Sequence, residues 1–187
     1  HVSSALKSPH RETYIRVLQE EIKARTELNL VVQGQSDLSP MIALVLSTDQ
    51  NIDGVTVPKL AKNDAAFKKD GYCISVDANS KRPILWLMGG DDRGVLFALG
   101  EFLRKADLSK NKIWVDKKNE IISSPQYSIR GHQLGYRNTA NSWDSWNEKQ
   151  FEQYIRDLAL FGSNAIENIP FQDGPPGPHM KIPREEM

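Results

Sequence analysis

Ile84-Leu85-Trp86-Leu87-Met88-Gly89-Gly90-Asp91-Asp92-Arg93-Gly94-Val95-Leu96-Phe97-Ala98-Leu99 passes from an apolar run into a helical pattern across two glycines and two aspartates. Ile84 to Met88 is a β-rich run. The spacing of Val95, Leu96, Leu99, Phe102 and Leu103 predicts a helix over Arg93 to Lys105 with one apolar stripe. A phosphate-binding reading of Gly89 to Gly94 fails on its chemistry. The Lys-Ser/Thr of a P-loop is missing, the glycine spacing departs from G-x-G-x-x-G, and two adjacent acids repel a phosphate. Acids at this place suit a helix N-terminus, where the backbone dipole is positive.

Upstream, Tyr72 to Val76 is a second β-rich run, and Asp77 to Pro83 between the two is turn chemistry, so a hairpin is expected. Ser8 as N-cap, Pro9 at the first helical position, and Tyr14, Ile15, Leu18 and Ile22 at helical spacing predict an opening helix that ends near Ala24 to Glu27. Leu28 to Val32 and Met41 to Ser47 read as strands around a polar turn. Asp49 to Asp70 reads as a long loop with a short helix around Asp64 to Lys68, and Ile113 to Val115 as one more strand. The expected class is α+β, a mostly antiparallel sheet with helices on one face.

The composition shifts near Ile122-Ser123-Ser124-Pro125. Residues 1–120 hold 18 basic and 16 acidic side chains, the remainder 6 and 8. Eight of the fifteen aromatic residues fall between Tyr127 and Phe171, so a domain boundary is expected near residue 124. Beyond it, Tyr127 to Tyr136 reads as a strand. Asn147 and Gln150 form a capping-box pattern ahead of Phe151, Tyr154, Ile155, Leu158 and Phe161, Gly162 stops the helix, and Asn164 to Ile169 is a second strand. Two strands joined by a helix make a parallel β-α-β crossover. A parallel sheet needs both faces covered, so this segment reads as part of something larger.

Several function classes are excluded or weakened. With 24 basic and 24 acidic residues the formal charge is zero, which disfavours a nucleic-acid or anionic-membrane partner. No apolar run approaches the roughly 18 residues of a membrane span. A single cysteine, Cys73, sits in an apolar alternation and reads as a plain buried thiol. His1, His10, His132 and His179 lack metal-ligand spacing, so neither metal nor other cofactor is expected. No Gly-x-Ser-x-Gly elbow occurs. No leader is legible, and a chain opening at His1 rather than Met is expected to have lost residues before it.

The polar stretch Ile129-Arg130-Gly131-His132-Gln133-Leu134-Gly135-Tyr136-Arg137-Asn138 makes a poor core strand. It suits a mouth where strand ends hold polar ligands. Planar donors for hydroxyl groups and aromatic faces for the apolar side of a ring are what a sugar requires. Arg130, His132, Tyr136 and Arg137 are candidates, with Glu167 and Asn168 near the end of the second strand. Trp143 and Trp146 either offer ring faces or pack their loop onto the helix. A catalytic carboxylate pair needs a second acid about 5–10 Å from the first. Asp144 and Asp173 are available, but spacing assigns neither.

These residues resemble a known arrangement. Arg25-Thr26-Glu27-Leu28 after the opening helix, and Ile84 to Gly89 running into Asp92 to Leu99, are similar to the α+β domain preceding the catalytic barrel in certain glycoside hydrolases. The families are the β-N-acetylhexosaminidases (family 20) and the α-glucuronidases (family 67). Tyr127-Ser128-Ile129-Arg130-Gly131 resembles the approach to their first barrel strand, and Asp157 to Glu167 the first barrel helix and second strand. The latter is also similar to the start of the α-N-acetylglucosaminidase barrel. The resemblance implies an accessory domain over residues 1–124, then over 125–187 the first βαβ unit of an incomplete (β/α)8 barrel. It implies a carbohydrate substrate, a sugar contact for Arg130, catalytic acids on later strands outside these residues, and a secreted or periplasmic protein. The expected function is thus that of an N-terminal fragment of a glycoside hydrolase, itself inert. The rival is a non-catalytic carbohydrate-binding or interaction module, and a nucleotide-binding α/β protein comes third.

Overall fold

In the computed structural model, which describes residues 1–32, 39–59, 68–80, 82–118, 120–134 and 146–168, the run Ile84–Gly89 is a strand with all six residues buried. The elements in chain order are β1 (Val2–Ser4), α1 (Arg11–Thr26), β2 (Met41–Leu46), β3 (Asn51–Ile52), β4 (Val55–Thr56), β5 (Tyr72–Asp77) and β6 (Ile84–Gly89). Then come α2 (Asp92–Lys105), β7 (Asp107–Ser109), β8 (Lys112–Trp114), β9 (Ile121–Ser123), β10 (Gly131–Leu134), α3 (Glu148–Leu160) and β11 (Ala165–Asn168). They divide into two units, His1–Gln126 and Tyr127–Met187.

The first unit is built on a five-stranded sheet in the order β1-β2-β6-β5-β9. The hairpin pairing β5 with β6 is antiparallel, with Cys73 opposite Met88 and Ile74 opposite Leu87. The sheet as a whole corrects the expectation of a mostly antiparallel one. β1 runs parallel to β2 and β2 parallel to β6, while β5 is antiparallel to β6 and β9, so the sheet is mixed. The physical reason lies in burial. Met41 to Leu46 and Ile84 to Met88 are apolar at every position, the mark of central strands covered on both faces, and such strands are the ones that pair in parallel. The predicted strand Leu28 to Val32 is reduced to one bridge, Val32 to Val2, and the strand expected at Ile113 to Val115 is β8, which among the described residues pairs with β7 in a two-stranded hairpin. The predicted short helix around Asp64 to Lys68 lies almost wholly outside the described residues.

One face of the sheet presents Met41, Ala43, Val45, Cys73, Ile84, Trp86 and Met88, which cluster with Ile52 and Val57 from the β3–β4 segment. The alternate residues serve the helical side. There α2 packs on β6, β5 and β2, and α1 packs on α2 and β1. Cys73 is a buried thiol in the first of these cores.

The junction between β6 and α2 explains the Gly-Gly-Asp-Asp-Arg-Gly sequence. Asp91 caps α2: its Oδ1 accepts from Gly94 N–H at 2.8 Å, and its Oδ2 accepts from Asp70 N–H at 3.1 Å. Arg93 Nε donates to the buried Asp70 carboxylate at 2.8 Å. Gly90 N–H donates to Gly71 O at 2.9 Å. A Cβ on Gly94 would lie 2.1 Å from Gly71 O, and one on Gly89 would lie 2.4 Å from Val95 N. The acids therefore fasten the helix start to the lead-in of β5. α1 begins two residues later than its capping pattern predicts, after a Ser8-Pro9-His10 turn closed by Arg11 N–H to Ser8 O.

Two outcomes follow from this packing. Gly94→Ala forces a methyl into backbone and should lower unfolding stability by about 2–3 kcal/mol. Gly54→Ala, at φ +75 with nothing within 4 Å of the new methyl, should cost about 1 kcal/mol. Urea midpoints measure both, and equal losses would contradict the close approach at Gly94. Tyr14 on α1 provides the second outcome. Burial, then the Asp92 and Asp91 carboxylates, push its phenol up from 10.0 to about 12 against the opposing charge of Arg93. The fold favours the neutral phenol, so this contribution is whole below pH 10 and is lost as pH rises toward 12. The alkaline fall in urea midpoint should be shallower in Tyr14→Phe. An identical fall would show that Tyr14 does not titrate with unfolding.

Candidate functional site

In the second unit β10 and β11 pair in parallel, with Gly131 beside Ala165, His132 beside Ile166, Gln133 beside Glu167 and Leu134 beside Asn168. The connection is α3, which the capping box starts as its sequence predicts. Asn147 Oδ1 accepts from Gln150 N–H at 3.1 Å, and Gln150 Oε1 accepts from Asn147 N–H at 3.0 Å. Gly162, at φ +98, follows the helix and turns the chain toward β11.

Strand alternation sorts the polar residues of this pair onto two faces. His132 lies on the helix side. Its Nε2 is 2.9 Å from the Tyr154 hydroxyl of α3, and the two rings meet edge to face at 5.7 Å. Trp146 joins the same cluster, edge-on to Phe151 at 5.5 Å and to Tyr154 at 5.1 Å, so it packs its loop onto the helix. The opposite face carries Gly131 and Ala165, then Gln133 and Glu167, all four exposed. Gln133 supplies an amide that can donate and accept, and Glu167 a carboxylate that accepts. Together they form a polar pair at the carboxyl ends of two parallel strands, where open and closed α/β sheets place ligands.

Arg130 precedes β10 and stands at the amino end of the pair. Its Nε donates to Gly162 O at 2.8 Å and its Nη1 to Tyr127 O at 2.8 Å. Its N–H donates to Asn164 Oδ1 at 2.9 Å, its carbonyl accepts from Asn164 N–H at 2.9 Å, and Asn164 Nδ2 reaches Ser128 O at 2.8 Å. Arg130 and Asn164 thus tie the lead-in of β10 to the turn before β11. Tyr136, Arg137, Trp143, Asp144 and Asp173 lie outside the described residues, and Asn168 is described as the backbone end of β11. Gln133 is not among the candidates named from the sequence, although period-two alternation sets it on the face opposite His132; its place beside Glu167 comes from the strand register. Among the described residues no group of three or more His, Cys, Asp or Glu side chains could hold a metal. Nor is any described helix long and apolar enough to cross a membrane.

Comparison with solved structures supplies a likeness for this arrangement. A GH20 exo-β-N-acetylglucosaminidase from Vibrio harveyi superposes with a TM-score of 0.53 at 15% identity, over 89% of this chain and 21% of that one. The chain shares its fold with a stretch of the GH20 hexosaminidases. The β-N-acetylhexosaminidase of Streptomyces coelicolor matches at TM-score 0.52 and 14% identity, over 89% of this chain and 29% of that one. A Streptomyces plicatus β-hexosaminidase, solved with its product GlcNAc, matches at 0.53 and 13% over the same shares. The chain therefore spans between 21% and 29% of the length of these hexosaminidases. No family model matches the sequence, and no curated protein does.

The tie at Arg130 has a measurable consequence. Hydrogen bonds from a charged donor contribute roughly 1.5–3 kcal/mol each at most, less where half exposed. Arg130→Ala should therefore speed amide exchange in β10 and β11 by about tenfold or more. Arg130→Lys, a point charge in place of a planar fork, should restore only part of the protection. Unchanged exchange in Arg130→Ala would show that the tie carries no stability.

Proposed function

We propose that this chain belongs to a glycoside hydrolase acting on terminal N-acetylhexosamine residues of glycans. Residues 1–124 would serve as its accessory α+β domain and 125–187 as the opening of a (β/α)8 barrel. One observation carries the reading. An α+β unit followed by a parallel β-α-β unit is matched over 89% of the chain by solved GH20 hexosaminidases. The polar pair Gln133 and Glu167 supports it, because the face turned away from α3 becomes the lumen when parallel strands close into a barrel with helices outside. A barrel of this kind needs about 250 residues.

In this reading Gln133 and Glu167 face the carboxyl-end mouth and hold hydroxyl groups of the sugar, and Tyr136, Arg137 and Asn168 stay candidates for the same subsite on their chemistry. Arg130 and His132 position the strands, Arg130 through backbone carbonyls and His132 through Tyr154. The catalytic carboxylates come from later strands, so residues 1–187 alone are inert. Secretion or periplasmic export fits a glycan substrate.

The test expresses the complete coding sequence beside residues 1–187 and assays aryl β-N-acetylglucosaminides. The complete product should hydrolyse them, and residues 1–187 should match a heat-treated control. Hydrolysis by residues 1–187 would place the chemistry within this chain and overturn the proposed division. A complete product inactive on every aryl glycoside tried would remove the enzyme reading.

A further inference from the structure

The first unit holds a cleft that the glycosidase reading does not use. It lies between the last turns of α2, the β7–β8 hairpin and the edge strand β9, with a volume of about 510 Å³. Pockets for small ligands run roughly 300–1,000 Å³. Its floor is Ile74 and Phe102, both buried, and at its edge Trp114 is 54% exposed. Glu101, Lys105, Asp116 and Glu120 complete the polar lining.

We propose that this cleft is a saccharide-binding site. An indole face left in water beside a concave apolar floor is an unsatisfied hydrophobic surface, and the C–H face of a pyranose ring covers such a surface. The rim separates a sugar from other occupants. Carboxylates accept hydrogen bonds and the Lys105 ammonium donates them, and sugar hydroxyls do both at neighbouring positions. An acyl chain would leave these charges desolvated. A dedicated cation site would gain nothing from Lys105. Glu101 is paired with Arg104 at 2.5 Å, and Asp116 Oδ1 accepts from Lys118 N–H at 3.0 Å. Each carboxylate retains further lone pairs for a ligand, and these contacts fix the rim in place beforehand, which lowers the ordering cost of binding.

The site rests on the proposed glycan reading for its ligand class, and its test is separate. Residues 1–187 are titrated calorimetrically with chitohexaose, cellohexaose and, as a charged control, choline. An oligosaccharide should bind with a Kd on the order of 1 mM or tighter. Trp114→Ala should weaken it about tenfold, Trp114→Phe should recover part of the loss, and Glu120→Gln should weaken it about threefold. Circular dichroism confirms that each variant folds, since Trp114 and Glu120 are exposed. Binding indifferent to Trp114→Ala, binding of choline alone, or no binding at 10 mM, roughly ten times that Kd, would each overturn the cleft as a sugar site. None of these bears on hydrolysis by the complete product, so the two readings fail independently.

Discussion

The first unit depends on how closely α2 seats on β6. That approach is possible because Gly89 and Gly94 have no side chains, and it is held because Asp91, Asp70 and Arg93 link the helix start to the lead-in of β5. Once α2 is fixed, the order of the central strands follows. β6 needs cover on its helical face from α2 and on its other face from the β3–β4 segment, and the continuous apolar runs of β2 and β6 supply the two cores. The charged residues that resemble a ligand loop on paper are thereby employed in joining backbone segments.

The second unit uses polarity differently. Its parallel strands divide their side chains between a face occupied by His132, Tyr154, Trp146 and Phe151 and a face where Gln133 and Glu167 stand exposed. A polar pair at the carboxyl ends of parallel strands does little for stability. Its placement there gives the sugar-binding proposal its physical basis, while Arg130 and Asn164 hold the opposite end together through backbone contacts.

Much of this was legible in the sequence where the signal is local. The capping box at Asn147 and Gln150, the acid cap ahead of α2 and the β5–β6 hairpin each depend on residues a few positions apart. Strand neighbours were less legible, because β2 pairs with β6 across more than a complete hairpin. The apolar runs that mark central strands are visible in the sequence, yet the element order of helix, strands, hairpin, helix and strand points to a mostly antiparallel sheet. Short elements such as β1 and β9 are set by the strands they pair with and carry little pattern of their own. The partners of Arg130 were not legible either, since Gly162 and Asn164 reach it only after α3 brings the chain back.

The measurement closest to the centre of this account is a structure of the complete gene product. In it β10 and β11 should be adjacent strands of a closed parallel barrel, with Gln133 and Glu167 pointing into the lumen at the carboxyl-end mouth and α3 outside. A β10–β11 pair left as an open two-stranded sheet, or a second layer packed over Gln133 and Glu167, would contradict it.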